Sequence, residues 1–254
     1  MNRLISIRRV RKKLAKGKVS LGSWMQIPNG SVAEIMGASG YDWVAVDMEH
    51  GAIGVEQLPD LFRALELGGT LPLVRLAEGT AKECKQALDA GAGGVIVPNV
   101  QTAAQLAKVC DACRWPPAGK RGVGFSRANL FGKYFKNYHK EAQQPLLIAM
   151  IESSQAFKEL AAVLKVKGLD AVLIGPYDLS ASLKMPGKIK DARMQVACRH
   201  ILKESKKAGV ACGIHVVEPS IGELKKRISQ GYCFVPYSID AVTLRKGSVC
   251  PART

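Results

Sequence analysis

A parallel (β/α)8 barrel preceded by an N-terminal helix is the fold this 254-residue sequence predicts, and three observations carry it. Short apolar, strand-like runs recur eight times, each ending in Gly, Pro, Asn or an acidic residue. A helix-like stretch follows each run, and that strict alternation implies parallel strands covered by helices. No G-x-G-x-x-G follows the first run and no G-x-x-x-x-G-K-[ST] occurs anywhere, which argues against an open dinucleotide-binding sheet and a P-loop. Eight units in this length match a closed barrel. At 47% hydrophobic, the chain can bury a sizeable core as one domain spanning residues 1–254.

The elements follow in order. In "MNRLISIRRVRKKLAKGKVS", Leu4, Ile7, Val10 and Leu14 fall at helical spacing. The stretch is basic and lacks acids, as a transit peptide would, but the first strand begins at about Lys18 and leaves no spacer to cleave. A helix lying across one end of the domain is therefore expected. The strands are read as "KVSLGSWMQI", "DWVAVDME", "LPLVRLA", "GVIVPNV", "LLIAMIES", "DAVLIGP", "VACGIHVV" and "YCFVPYSI". Amphipathic helices are expected over 55–67, 81–90, 102–113, 154–164, 192–208 and 220–230. The interval 115–145 breaks the rhythm and reads as an irregular lid or packing segment, its aromatic residues forming the buried face of a helix.

Composition narrows the function. Every apolar run is broken within about ten residues, well short of the roughly 20 needed to span a bilayer, so no membrane role is expected. The seven cysteines are odd in number and lie mostly in apolar segments, which suits a reducing cytoplasm. Cys110 and Cys113 form a lone C-x-x-C with no second pair to complete a zinc site. The net charge of +16 is spread along the chain rather than gathered in one stripe, which favours solvated helix faces over nucleic-acid binding.

In a parallel barrel the chemistry sits at the C-terminal strand ends. The polar residues there are Asp47, Glu49 and His50 after the second strand, Arg75 after the third and Asn99 after the fourth. Glu152, Asp178 and His215 follow the fifth, sixth and seventh. Singly, each has a plain structural reading: Asp178 as a helix cap, Arg75 as a partner of Glu78, His215 as a satisfied core histidine. Together, Glu152 and Asp178 leave adjacent strands and bring two hard oxygen ligands to one rim, which suits Mg²⁺ or Mn²⁺. A His, an Arg and a carboxylate nearby would supply base, electrophile and orienting partner for an enolate.

The blocks "GSWMQIPN", "GYDWVAVDMEH", "LPLVR", "ALDAGAGGVIVPNV", "RWPPAGKRGVG", "MIES" and "IGPYDLSASL" occur in the order found in the HpcH/HpaI aldolases, a family of metal-dependent enzymes that the sequence resembles. The resemblance implies a class II carbon–carbon lyase that splits a 4-hydroxy-2-keto acid, such as a 2-keto-3-deoxy sugar acid, into pyruvate and an aldehyde. It implies that Glu152 and Asp178 bind Mg²⁺, Mn²⁺ or Co²⁺, and that Gly175, Pro176, Tyr177 and Asp178 receive the keto-acid carboxylate. His50 would be the acid/base and Asp89 would hold and polarise it, a role for Asp89 that rests on the resemblance alone. Arg75 would neutralise the enolate oxygen, with Asp47 and Glu49 as supporting carboxylates, Asp47 through waters on the metal. A homo-oligomer, trimer or hexamer, is implied as well. Met150 stands where the family usually has Gln, and a thioether cannot donate a hydrogen bond, so substrate choice is expected to differ there. Two alternatives stay open: a metal-dependent lyase or decarboxylase acting on a keto diacid, and a non-catalytic basic binding protein.

Overall fold

The structure is a computed structural model that describes residues 2–250. Eight parallel strands close on themselves in sequence order: β1 (Ser20–Met25), β2 (Trp43–Asp47), β3 (Leu71–Arg75), β4 (Gly94–Val97), β5 (Leu146–Ile151), β6 (Ala171–Ile174), β7 (Ala211–Ile214) and β8 (Phe234–Ile239). All eight expected runs are strands of the barrel, and the six expected helices are present, the one over 154–164 split into Ser154–Lys158 and Leu160–Val163. The sequence reading named no helix between the first two strands, yet Gly30–Ala38 forms one, capped by the Asn29 side chain on Ser31 N and Val32 N.

Period-two alternation along each strand sorts the core into two layers. Trp24, Trp43, Ala45, Leu71, Leu73, Ile96, Ile148, Met150, Leu173 and Phe234 fill the barrel interior, while Val44, Val46, Val74, Val95 and Val172 pack outward against the helices. Trp43 stacks on Phe234 with ring centroids 4.2 Å apart. Gly22 makes room for it, since a Cβ there would fall 2.2 Å from the indole. The helix Arg3–Ala15 closes the N-terminal mouth as the spacing predicted, with Ile7, Val10 and Leu14 buried against the residues that open the strands, Leu71, Leu146, Ala211 and Phe234.

The 115–145 segment holds a short 3-10 turn at Arg127–Asn129 and a helix at Phe135–Ala142. Trp115, Ala128, Tyr138 and Ala142 form a small cluster of their own. Arg3 joins the segment to the rest of the N-terminal face, bonding Glu141 at 2.7 Å and Glu66 at 3.2 Å, while Arg127 bonds Glu66 and the Ala90 carbonyl. It therefore packs at the N-terminal end of the barrel and does not cover the C-terminal rim of its own chain. Among the described residues no helix is long and apolar enough to cross a membrane.

Candidate active site

The inward parity that places Trp43 and Ala45 in the barrel also turns Asp47 inward at the top of β2. The same parity through Leu71 and Leu73 turns Arg75 inward at the top of β3, and strand register makes the two residues direct neighbours. The result is a bidentate ion pair: Arg75 Nε donates to Asp47 Oδ1 at 2.8 Å and an Arg75 terminal nitrogen donates to Oδ2 at 2.6 Å. Asp47 also accepts from Gln26 Nε2 and from the backbone N–H groups of Glu49 and His50. Burial alone would raise the Asp47 carboxyl, but the hydrogen bonds and charge of Arg75 hold it below the usual carboxylate range.

The Asp47 oxygens are engaged by protein donors, so Asp47 fixes Arg75 and the turn that carries His50. Arg75 is 8% exposed, lies over the Trp24 ring at 4.5 Å, and comes within 3.0 Å of Glu49 Oε2. That oxygen is buried without a hydrogen-bond partner, because the guanidinium approaches it out of line. Burial raises the Glu49 carboxyl, against the pull of Arg75. His50 stands exposed at the mouth of the cavity.

Continuing the parity of Ile148 and Met150 turns Glu152 inward just past β5. Asn99, in a left-handed backbone conformation with φ 46°, donates its N–H to Glu152 Oε1. The other oxygen faces Gly175, where a Cβ would lie only 2.5 Å from it, so Gly is required if the carboxylate is to sit there. Burial pushes the Glu152 carboxyl up to about 7, with Glu49 and Asp178 adding repulsion. Asp178 is exposed in the first turn of the helix Pro176–Ser182, one strand away.

Trp24, Gln26, His50, Arg75, Met150, Gly175, Pro176, Tyr177, Asp178 and His215 share a cavity of about 300 Å³. The structure thus brings His50, Arg75, Asp178 and His215 to one cavity, with Asp47 and Glu49 against Arg75 and with Glu152 between Asn99 and Gly175. Asp89 is the exception: it ends the helix Ala81–Asp89, which places it at the N-terminal end of the barrel, while His50 follows the C-terminal end of β2. Within one chain the expected His50–Asp89 pair does not form. Gln26 and Trp24 carry site contacts that the sequence reading did not assign. Their inward parity at the top of β1 was a signal available for both.

A larger cavity, about 840 Å³, lies on the N-terminal face among Arg3, Glu66, Arg127, Phe131, Tyr134 and Glu141. Its central charges already neutralise one another, so size does not make it the reactive site. Around the smaller cavity, in contrast, carboxylates outnumber the one buried cation. Among the described residues no three His, Cys, Asp or Glu side chains converge as a ready-made cage, and Glu152 with Asp178 offers the two-carboxylate set that Mg²⁺-type ions accept.

Comparison with known proteins agrees with this geometry. A family model described as HpcH/HpaI aldolase/citrate lyase matches residues 20–246. The chain belongs to that family. It is 36% identical over 245 residues to the 2-keto-3-deoxy-L-rhamnonate aldolase of Klebsiella pneumoniae, covering 95% of this chain and 90% of that protein. It is also 36% identical over 247 residues to the hydroxypyruvate/pyruvate aldolase of Roseobacter denitrificans, covering 96% and 95%. Among solved structures, an HpcH/HpaI aldolase/citrate lyase family protein from Burkholderia cenocepacia superposes with a TM-score of 0.89 at 29% identity, over 94% of this chain and 96% of that one. As a member of the HpcH/HpaI family with aldolase relatives, the protein is a carbon–carbon lyase.

Proposed function

We propose that the protein is a divalent-metal-dependent pyruvate aldolase that cleaves, and reversibly forms, a 4-hydroxy-2-keto acid such as a 2-keto-3-deoxy sugar acid. The observation that carries this reading is the gathering of Asp178, Arg75 and His50 on one cavity at the C-terminal rim, with the buried Glu152 carboxylate beside the cavity's Gly175 wall. Glu152 and Asp178 would hold Mg²⁺, Mn²⁺ or Co²⁺. The fit is electrostatic as well as geometric: the carboxylates of Glu49, Glu152 and Asp178 lie around one guanidinium that Asp47 already engages, an excess of negative charge that a dication relieves. When bound, the ion would supply Lewis-acid polarisation of the keto group.

The chain's own residues do the rest. The backbone opening at Gly175, Pro176, Tyr177 and Asp178 receives the substrate carboxylate, with Gly175 leaving space beside Glu152. Arg75, locked by Asp47 and stacked on Trp24, presents a fixed positive charge where the enolate oxygen develops. His50 takes the proton from the C4 hydroxyl as the C3–C4 bond breaks, leaving an aldehyde and the pyruvate enolate, whose C3 then takes up that proton to give pyruvate. Met150 contributes an apolar wall at the substrate and no hydrogen bond.

Asp89 can polarise His50 only from a second copy of the chain, which makes a homo-oligomer, trimer or hexamer, part of the proposal. The N-terminal face that carries Asp89 also exposes Phe125, Leu130 and Phe131, apolar area suited to a subunit contact. Six cysteine thiols are buried and all seven are unpaired, in keeping with action in the reducing cytoplasm. The deciding experiment follows exchange of pyruvate methyl protons by NMR with and without Mg²⁺, Mn²⁺ or Co²⁺, together with pyruvate release from 4-hydroxy-2-keto acids. Metal-dependent exchange is expected; its absence in folded protein, with no pyruvate release, would overturn the reading.

A further inference from the structure

His215 is inside the site, yet none of the steps above uses it. Its position follows from the parity of β7, since Ala211, Gly213 and His215 all face inward. Burial pushes its pKa down to about 4, so the ring is neutral at physiological pH. The tautomer is fixed by β8. Ser238 sits in a left-handed conformation with φ 57°, at a register irregularity between β1 and β8, and its carbonyl lies 3.2 Å from His215 Nε2. A carbonyl only accepts, so the proton is on Nε2 and Nδ1 carries a lone pair. The Ser238 carbonyl is held in turn, because Ser238 N donates to the Val216 carbonyl at 2.8 Å. Nδ1 makes no hydrogen bond among the described residues, and the His215 side chain lines the reaction cavity.

What lies beyond the ring gives this lone pair a purpose. Pro176, Tyr177, His215 and Val217 line the reaction cavity and also a second cavity of about 600 Å³. The second cavity combines apolar wall, including Ile189, Val216 and Val217, with the polar side chains of Lys190, Ser220 and Glu223. A substrate with its carboxylate at Gly175–Asp178 must extend its aldehyde half past this shared wall. We propose that His215 determines specificity for the aldehyde half, its Nδ1 accepting a hydrogen bond from a hydroxyl next to the aldehyde carbon, with the remaining carbons running into the second cavity toward Lys190, Ser220 and Glu223. The enzyme then favours hydroxyaldehydes over alkyl aldehydes of equal length, because a deoxy analogue leaves Nδ1 desolvated and unpaired. This inference rests on the aldolase reading of the cavity.

The test is carboligation of pyruvate with matched aldehyde pairs, glycolaldehyde against acetaldehyde and lactaldehyde against propionaldehyde, with the wild type, His215→Leu and His215→Gln. Each kcat/KM is normalised to the same protein's pyruvate proton exchange. The wild type should favour the hydroxylated partner by about tenfold, His215→Leu should bring the ratio close to one, and His215→Gln, which keeps an acceptor, should restore part of it. Equal ratios in wild type and His215→Leu overturn the proposal. So does a wild type with no preference, whatever the variants do. If pyruvate exchange persists in those cases, only the role of His215 falls; if exchange is missing from the wild type itself, the aldolase reading falls with it.

Discussion

The two ends of the barrel use the same residue types to opposite effect. At the N-terminal face Arg3 and Arg127 meet Glu66 and Glu141 in a closed set of ion pairs, with the Arg3 and Glu66 side chains 12% and 14% exposed. At the C-terminal rim the carboxylates of Glu49, Glu152 and Asp178 gather around one arginine already claimed by Asp47. Burial raises both Glu141 and Glu152, but Glu141 has Arg3 within hydrogen-bonding distance, whereas Glu152 accepts a backbone N–H and feels Arg75 less than it feels Glu49 and Asp178. One end spends its charges on cohesion; the other leaves them unbalanced for a ligand. The larger cavity lies at the end whose carboxylates are all paired, so unpaired carboxylates locate the site better than volume does.

The comparison breaks first at the carboxylates. Glu152→Ala or Asp178→Ala should cut metal-dependent pyruvate exchange by about a thousandfold, about 4 kcal/mol in barrier, while leaving a folded protein by circular dichroism. Retained exchange in both variants would remove these residues from the metal site. At the opposite end Arg3→Ala should lower stability to urea by about 3 kcal/mol, because Glu66 and Glu141 would be left buried without that partner. Exchange per folded molecule should not move; a parallel loss of exchange would show that the two ends are coupled.

Asp47→Asn sharpens the division within the rim. It keeps the shape but loses the charge that orients Arg75, and exchange should fall by about a hundredfold, mainly in kcat, as a positioning role predicts. An unchanged kcat would leave Arg75 oriented by its Trp24 and Glu49 contacts alone. The smallest effect is a pH slope. His215 lies against Trp24, Arg75 and Asp47, and its folded pKa of about 4 is below its unfolded value of about 6.5, so the unfolded chain takes up the proton first as pH falls. Its contribution is complete above about pH 6.5 and is lost as pH falls toward 4, amounting to about 2 kcal/mol for a partly accessible ring. Urea midpoints across that window should fall less steeply for His215→Leu than for the wild type, and identical slopes would refute the depressed value.

Much of this was legible because a barrel strand has a period of two and its end is marked by polarity. Trp43, Ala45 and Asp47 share a side for the same reason that Leu71, Leu73 and Arg75 do, and the reading of 146–153 placed Glu152 correctly. The helix Gly30–Ala38 was harder to see, being short and built around small residues, with its start set by an Asn cap rather than a long apolar stripe. The 115–145 segment carried its aromatic cluster plainly, but no local pattern states which end of the barrel a connection covers.

By itself the sequence determined the alternation, and with it the eight strands, the inward parity and the set of polar residues delivered to the rim, because these depend on neighbours a few positions apart. Only the tertiary structure decided which of those residues meet. Register paired Asp47 with Arg75. The bulge at Ser238 fixed the tautomer of His215, and the opposed ends of one helix and one strand set Asp89 on the far side from His50. Those outcomes depend on distances between segments remote in sequence, which closing the barrel creates.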